Sequence, residues 1–193
     1  MTVLSVNECD VAWESASPAE SLRMGEALGR LLQAGDLVAL FGDLGSGKTL
    51  LVRGVAAGLG CIAAEVHSPS FTLVNEYACC GNDPSGRSTN GCSLVHIDLY
   101  RIASEADVPG IGWDEYMEPG HVVLVEWADR ALGRLPRDHL RVRLETRGPE
   151  RRRLCTRAMG PRSGAILRGW LGGLGVALEA AAFDLGEDRG SEA

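Results

Sequence analysis

Apolar positions along this chain recur at two spacings, and the alternation between them predicts the architecture. From Ser17, Met24, Ala27, Leu28, Leu31 and Leu32 fall on one face of a helix that runs to about Gln33 and stops before Gly35. Ser17 at the N-cap, Pro18 at the first helical position and Glu20 at the third form a capping box. Asp36–Phe41 (DLVALF) is a nearly continuous apolar run, the pattern of a strand buried on both faces. A second helix is expected over Leu50–Leu59, closed by Gly60. Strand character returns at Phe71–Tyr77, Ser93–Asp98 and His121–Glu126. His139–Thr146 then alternates apolar with charged residues, and Arg151–Ala158 can pair with it as an antiparallel hairpin at the sheet edge. Ile166, Trp170, Leu174 and Leu178 mark a last helix, in which Gly169, Gly172, Gly173 and Gly175 each cost roughly 1 kcal/mol relative to Ala, so it needs a surface to dock on. Strands alternating with helices predict an α/β protein: a three-layer fold around a mostly parallel sheet. Residues 1–160 are expected to form the main domain and 161–193 a helical extension and tail.

Composition narrows the class. The chain has 193 residues, 45% of them hydrophobic and 23% charged, enough apolar mass for a sizeable core. No stretch reaches the ~18 uninterrupted apolar residues of a membrane span. The run Gly169–Leu178 is closed by Glu179, and the N-terminus lacks a secretory pattern, so a cytoplasmic protein with no membrane partner is expected. Six cysteines are too few for a disulfide scaffold. Cys79, Cys80, Cys92 and His96 could hold zinc, but their spacing matches no standard ligand pattern, and free thiols in a loop are the simpler reading. Ala78–Cys92, rich in Gly, Asn and Ser, reads as a long exposed loop.

Charge is uneven. Residues 1–133 carry a net −11, and residues 134–162, with 10 arginines, a net +7. An acidic body argues against a protein that coats nucleic acid unaided. Of the 19 basic residues only Lys48 is a lysine, which suggests that a compact ammonium is needed there.

Lys48 lies within Gly42-Asp43-Leu44-Gly45-Ser46-Gly47-Lys48-Thr49, a match to G-x-x-x-x-G-K-[ST] between a predicted buried strand and a predicted helix. In such a loop, backbone N–H groups turn inward around a phosphate, the lysine reaches the β and γ phosphates, and the Thr49 hydroxyl can ligate Mg²⁺. Asp43, Leu44, Gly45, Ser46, Gly47, Lys48, Thr49 and Leu50 are therefore the candidate nucleotide-binding residues, with the Asp43 side chain turned outward. Two strand-end acids, Asp98 and Glu126, can serve the metal or its water; with Lys48 they are the candidate catalytic residues. A guanine-recognition N/T-K-x-D motif would need a second lysine, so ATP is favoured over GTP.

Four blocks in order resemble the TsaE (YjeE) family: GDLGSGKT with Arg53-Gly54 downstream, Ser68-Pro69-Ser70-Phe71-Thr72-Leu73-Val74 with Glu76-Tyr77, His96-Ile97-Asp98-Leu99-Tyr100-Arg101, and Val125-Glu126-Trp127. The resemblance runs from about Ser15 to about Thr146. It implies a P-loop ATPase of tRNA threonylcarbamoyladenosine (t6A37) biosynthesis. Hydrolysis would cycle a TsaD–TsaB partner complex, with weak activity of the chain alone and tRNA engaged indirectly. It further implies that Thr49 and Glu126 coordinate Mg²⁺, that Asp98 is needed for hydrolysis, and that Ser68–Phe71 responds to nucleotide. The family usually has Thr where this chain has Ser70. Two alternatives stand beside this reading: a nucleotide-gated binding module with incidental hydrolysis, and a small-molecule P-loop kinase.

Overall fold

The structure, a computed structural model, describes residues 9–79 and 92–175. Its elements in chain order are β1 (Val11–Ser15), α1 (Pro18–Gly29), β2 (Leu37–Phe41), α2 (Lys48–Gly58), β3 (Val74–Ala78), β4 (Ser93–Asp98), α3 (Trp113–Tyr116), β5 (His121–Glu126), β6 (Leu140–Thr146), β7 (Arg152–Ala158) and α4 (Pro161–Gly173). One sheet holds all seven strands in the order β1-β7-β6-β2-β5-β4-β3. β6, β2, β5 and β4 are mutually parallel, whereas β7, β1 and β3 join antiparallel. The β6–β7 hairpin forms as the alternation predicted, but one strand in from the edge, since β1 pairs outside β7. Most of the predicted loop and the end of the predicted last helix, including Leu178, lie outside the described residues.

The three layers follow from strand alternation. Val38 and Leu40 of β2, Leu94 of β4, Val122 and Leu124 of β5 and Leu140, Val142 and Leu144 of β6 face one core, shared with α1, α2 and α4. Leu37, Ala39, Phe41, Val95, Ile97, Val123 and Val125 face the other, closed by α3 and by short 3-10 segments at Glu105–Ile111 and Ala128–Arg134. Ser17 caps α1 as expected, accepting from the Glu20 N–H at 3.2 Å, while the Glu20 carboxylate reaches one residue further back, to the Ala16 N–H at 2.6 Å.

Helices α1 and α2 touch backbone to backbone. A methyl on Gly25 or Gly29 would overlap the carbonyl oxygens of Leu51 or Val55, and one on Gly54 or Gly58 would overlap those of Leu22 or Glu26. The last helix finds the docking surface its glycines require. Trp170 packs edge-on against Trp13 with ring centroids 4.9 Å apart, and its indole N–H donates to the Met24 carbonyl at 2.8 Å. Arg162 grips Asp36 with two hydrogen bonds, 2.8 and 2.6 Å. Two features depart from the sequence reading. Phe71–Leu73 form a turn rather than the start of β3, with Leu73 at φ 67° and its N–H on the Pro69 carbonyl. Cys9, just before β1, and Cys155 of β7 are disulfide-bonded, a pairing that the cysteine count gave no reason to expect. No helix among the described residues is long and apolar enough to cross a membrane.

Candidate functional site

β2 ends at Phe41 and the chain turns through Gly42, Gly45 and Gly47 into α2, all three glycines at positive φ (135°, 76° and 101°) that side chains rarely adopt. At Gly42 there is also no room for a side chain, since a methyl would meet the Leu144 carbonyl and the Ser46 hydroxyl. The loop is held from outside by Arg152 of β7, whose guanidinium donates to the Ser46 carbonyl at 2.9 Å and the Gly45 carbonyl at 3.3 Å. Asp43 and Leu44 are exposed at the tip, as predicted for Asp43; Leu50 is partly buried in the first turn of α2.

Lys48 opens α2 and is only 4% exposed. Its ammonium donates to the carbonyls of Gly42 (2.7 Å) and Asp43 (3.0 Å), and lies 4.0 Å from the centre of the Trp127 ring. Burial lowers its pKa, opposed chiefly by the charges of Glu126 and Asp98. Trp127 reaches this place because it leaves β5 in a left-handed conformation, φ 58°, that turns its ring over Lys48 and against Tyr100.

The two acids lie side by side. Asp98 and Glu126 end neighbouring parallel strands in direct register and, by the same alternation, look toward α2. Their surroundings differ. The Thr49 hydroxyl donates to Glu126 Oε1 at 2.7 Å, and His96 Nε2 lies 2.9 Å from the same oxygen. Asp98 Oδ2 accepts from the hydroxyls of Ser68 (2.6 Å) and Ser70 (2.7 Å), and Oδ1 from the Tyr100 N–H (2.9 Å). Asp98 thus holds the Ser68–Phe71 segment, which carries Phe71 85% exposed beneath the Arg101 guanidinium, 4.3 Å from the ring centre.

All the residues predicted from sequence therefore lie at the C-terminal ends of β2, β4 and β5 or on the loop and helix that follow β2. Not foreseen were His96 in contact with Glu126, Trp127 over Lys48, and Arg152 on the loop. His96 had a legible signal: two positions before Asp98 in a strand, it must share that face. The zinc alternative is not realised among the described residues, where no three His, Cys, Asp or Glu side chains gather as a metal site. His96 is engaged by Glu126, Cys79 Sγ lies 2.9 Å from Cys61 Sγ, and Cys80 lies outside the described residues.

The site fits a nucleotide phosphate and a hard cation. Three left-handed glycines bend the loop; among the described residues, the buried Ser46 hydroxyl has no hydrogen-bond partner and the ammonium is bound only to carbonyls and an aromatic face. Thr49 and Glu126 present oxygen donors only, the ligand class that Mg²⁺ takes, together with phosphate oxygens and water.

The family model of threonylcarbamoyl adenosine biosynthesis protein TsaE matches residues 15–154. The tRNA threonylcarbamoyladenosine biosynthesis protein TsaE of Bacillus subtilis is 35% identical over 150 residues, covering 78% of this chain and 87% of that protein. The protein of the same name from Treponema pallidum is 41% identical over 122 residues, 63% of this chain and 82% of that one. The crystal structure of YdiB from Bacillus subtilis superposes with a TM-score of 0.64 at 28% identity, over 83% of this chain and 93% of that one. A match that begins at the last residue of β1 and reaches into β7 takes in every strand that carries the site, and the chain belongs to the TsaE family of tRNA threonylcarbamoyladenosine biosynthesis.

Proposed function

We propose that this chain is the Mg²⁺-dependent ATPase of the t6A37 machinery, and that its hydrolysis of ATP cycles a TsaD–TsaB-like partner complex that handles the tRNA. The reading rests above all on the Thr49–Glu126 hydrogen bond, which joins the end of the phosphate loop to a strand-end acid 77 residues away. Bound ATP would supply the phosphoanhydride bond, and Mg²⁺ would neutralise developing charge on its phosphates. The chain's own residues divide the remaining work. Backbone N–H groups of Asp43–Thr49 bind phosphate oxygens, and Lys48, freed from its two carbonyls, places an ammonium against the β and γ phosphates. Thr49 and Glu126 would hold the cation, while Asp98 would orient the attacking water. Because Asp98 is bonded to Ser68 and Ser70, a change at the phosphate site reaches the exposed Phe71 segment, a surface suited to a partner that senses nucleotide state.

That coupling also favours the nucleotide-gated alternative, in which binding alone drives the partner. The purified chain, with and without a TsaD–TsaB pair, is expected to show slow Mg²⁺-dependent ATP hydrolysis that the pair accelerates. A variant that binds ATP without hydrolysing it should fail to restore t6A; full rescue would favour the gated module instead. We read residues 1–160 as the ATPase unit and 161–193 as an extension anchored on it through Trp170.

A further inference from the structure

Glu126 is clamped by one oxygen. Thr49 and His96 both address Oε1, at 2.7 and 2.9 Å, whereas Oε2 has no hydrogen-bond partner among the described residues. A carboxylate oxygen has two lone pairs, so two donors leave Oε1 fully engaged and Oε2 as the oxygen open to a cation. An ionised carboxylate can only accept, so the proton between His96 and Glu126 belongs to Nε2.

His96 is itself an expensive choice. It is 0% exposed in the middle of β4, and its second ring nitrogen, Nδ1, is buried with no partner among the described residues. An unsatisfied buried polar atom is destabilising, a cost that leucine or methionine would avoid while filling similar space. Core packing therefore does not account for an imidazole here, and its one hydrogen bond does. Thr49 cannot be the fixed clamp, because its own oxygen is the one assigned to the cation. His96, on a neighbouring strand and immobile in the core, can.

We propose that His96 is a positioning and specificity-determining residue that keeps Glu126 monodentate and so selects Mg²⁺ over Ca²⁺. Mg²⁺ takes single oxygens at octahedral positions, whereas Ca²⁺ accepts bidentate carboxylates in larger, looser shells. Occupying Oε1 with the imidazole N–H removes the bidentate option. The inference rests on the proposed Mg²⁺–ATP site and deepens it.

The test measures binding of a non-hydrolysable ATP analogue by calorimetry at varied Mg²⁺ or Ca²⁺, together with the melting temperature of the nucleotide-free protein. His96→Leu should raise the half-saturating Mg²⁺ by about tenfold, in the range seen when groups behind a metal ligand are removed, and should lower the Mg²⁺/Ca²⁺ preference. His96→Gln, whose amide N–H falls near Nε2, should restore both. His96→Asn, whose amide falls near Nδ1, should not. Unchanged Mg²⁺ half-saturation and Mg²⁺/Ca²⁺ preference in a folded His96→Leu protein overturn the inference and leave the proposed function standing. Should the Leu variant fail to fold, equal cation preference in the Gln and Asn variants overturns it equally. Wild-type protein that binds the analogue identically with and without Mg²⁺ overturns the function reading, and the inference falls with it.

Discussion

Lys48 is the one lysine in the chain, and its setting explains why arginine, used at every other basic position, does not replace it. Its ammonium fits between two carbonyls and the Trp127 face in a nearly closed space, which a planar five-donor guanidinium would not enter without displacing them. Lys48→Arg is therefore expected to lose nucleotide binding nearly as fully as Lys48→Ala, by at least about tenfold (~1.4 kcal/mol) in a binding titration. Retained affinity in the Arg variant would show that charge alone suffices. Glu126→Ala should weaken Mg²⁺-dependent binding, whereas Asp98→Ala should leave more binding than turnover, because orienting a water matters most in the transition state. Single-turnover hydrolysis at saturating ATP separates the two, and equal rates for Asp98→Ala and wild type would refute the role given to Asp98. A different residue governs pH dependence. His139 donates from Nδ1 to the Pro136 carbonyl at 2.6 Å and accepts from Arg141 at Nε2 at 3.0 Å, a bonding pattern open only to the neutral ring. Burial pushes its pKa down and the Arg141 charge adds to that, outweighing the Pro136 bond and Asp138. The folded pKa lies below the unfolded value near 6.5, so the stability this neutral histidine contributes is complete above about pH 6.5 and is lost as pH falls through the lower folded value. Melting temperatures at pH 7.5 and 5.5 should drop more for wild type than for His139→Gln; equal drops would exclude this histidine as a cause.

Among the elements, the four glycines between α1 and α2 set the place of the phosphate loop, because α2 begins with Lys48 and Thr49 and has no freedom to shift against α1. Gly58→Ala would drive a methyl into the Glu26 carbonyl, and backbone cannot yield as a side-chain tip does. A loss of roughly 1–3 kcal/mol is expected, read as a fall in urea midpoint, together with weaker nucleotide binding though Gly58 is three helical turns from the loop. A stability equal to wild type would mean that the helices part without strain. The elements also show what a sequence reveals. Ser93–Asp98 and His121–Glu126 were legible to the residue because strands covered on both faces need unbroken apolar runs. The loop from Gly42 to Thr49 was legible because its glycine spacing itself dictates the turn from β2 into α2. β1 was not: VAWES carries little apolar pattern and becomes a strand only by pairing with β7, which follows 136 residues after its last residue's neighbour Ala16. The segments at 105–116 and 128–134 are too short to establish a helical period. Phe71–Leu73 looked like strand from composition, but β-branched and aromatic content does not register a left-handed Leu73. His96 was read only as a possible zinc ligand, since its partner lies on another strand 30 residues on.

For the molecule as a whole, charge is divided along the sequence, a net −11 over residues 1–133 and +7 over residues 134–162, and the basic segment meets the site through Arg152. The arginines of β6, β7 and their flanks include Arg152, which reaches the loop at Gly45 and Ser46, and Arg101 lies over the exposed Phe71. The expected behaviour is tighter association with a TsaD–TsaB-like pair in the presence of ATP than without nucleotide, and little tRNA binding by the isolated chain at physiological salt. Filter binding across a salt series distinguishes these: tight tRNA binding that falls steeply with ionic strength and is lost on neutralising Arg151 and Arg153 would reverse the assignment.

Arg152 gives this arrangement a consequence in time. Its guanidinium reaches back 106 residues to the Ser46 carbonyl, and β2, which delivers the loop, is flanked on one side by β6. The loop leaves the ribosome before one of its two flanking strands and before its outer brace, which follows Ser46 by 106 residues. A nascent chain halted before β6 would carry the complete phosphate-binding motif without the scaffold that shapes it. Competence to hold nucleotide should thus arrive late and abruptly during translation, so that truncated products escape the pool of chains that compete for ATP or for a partner.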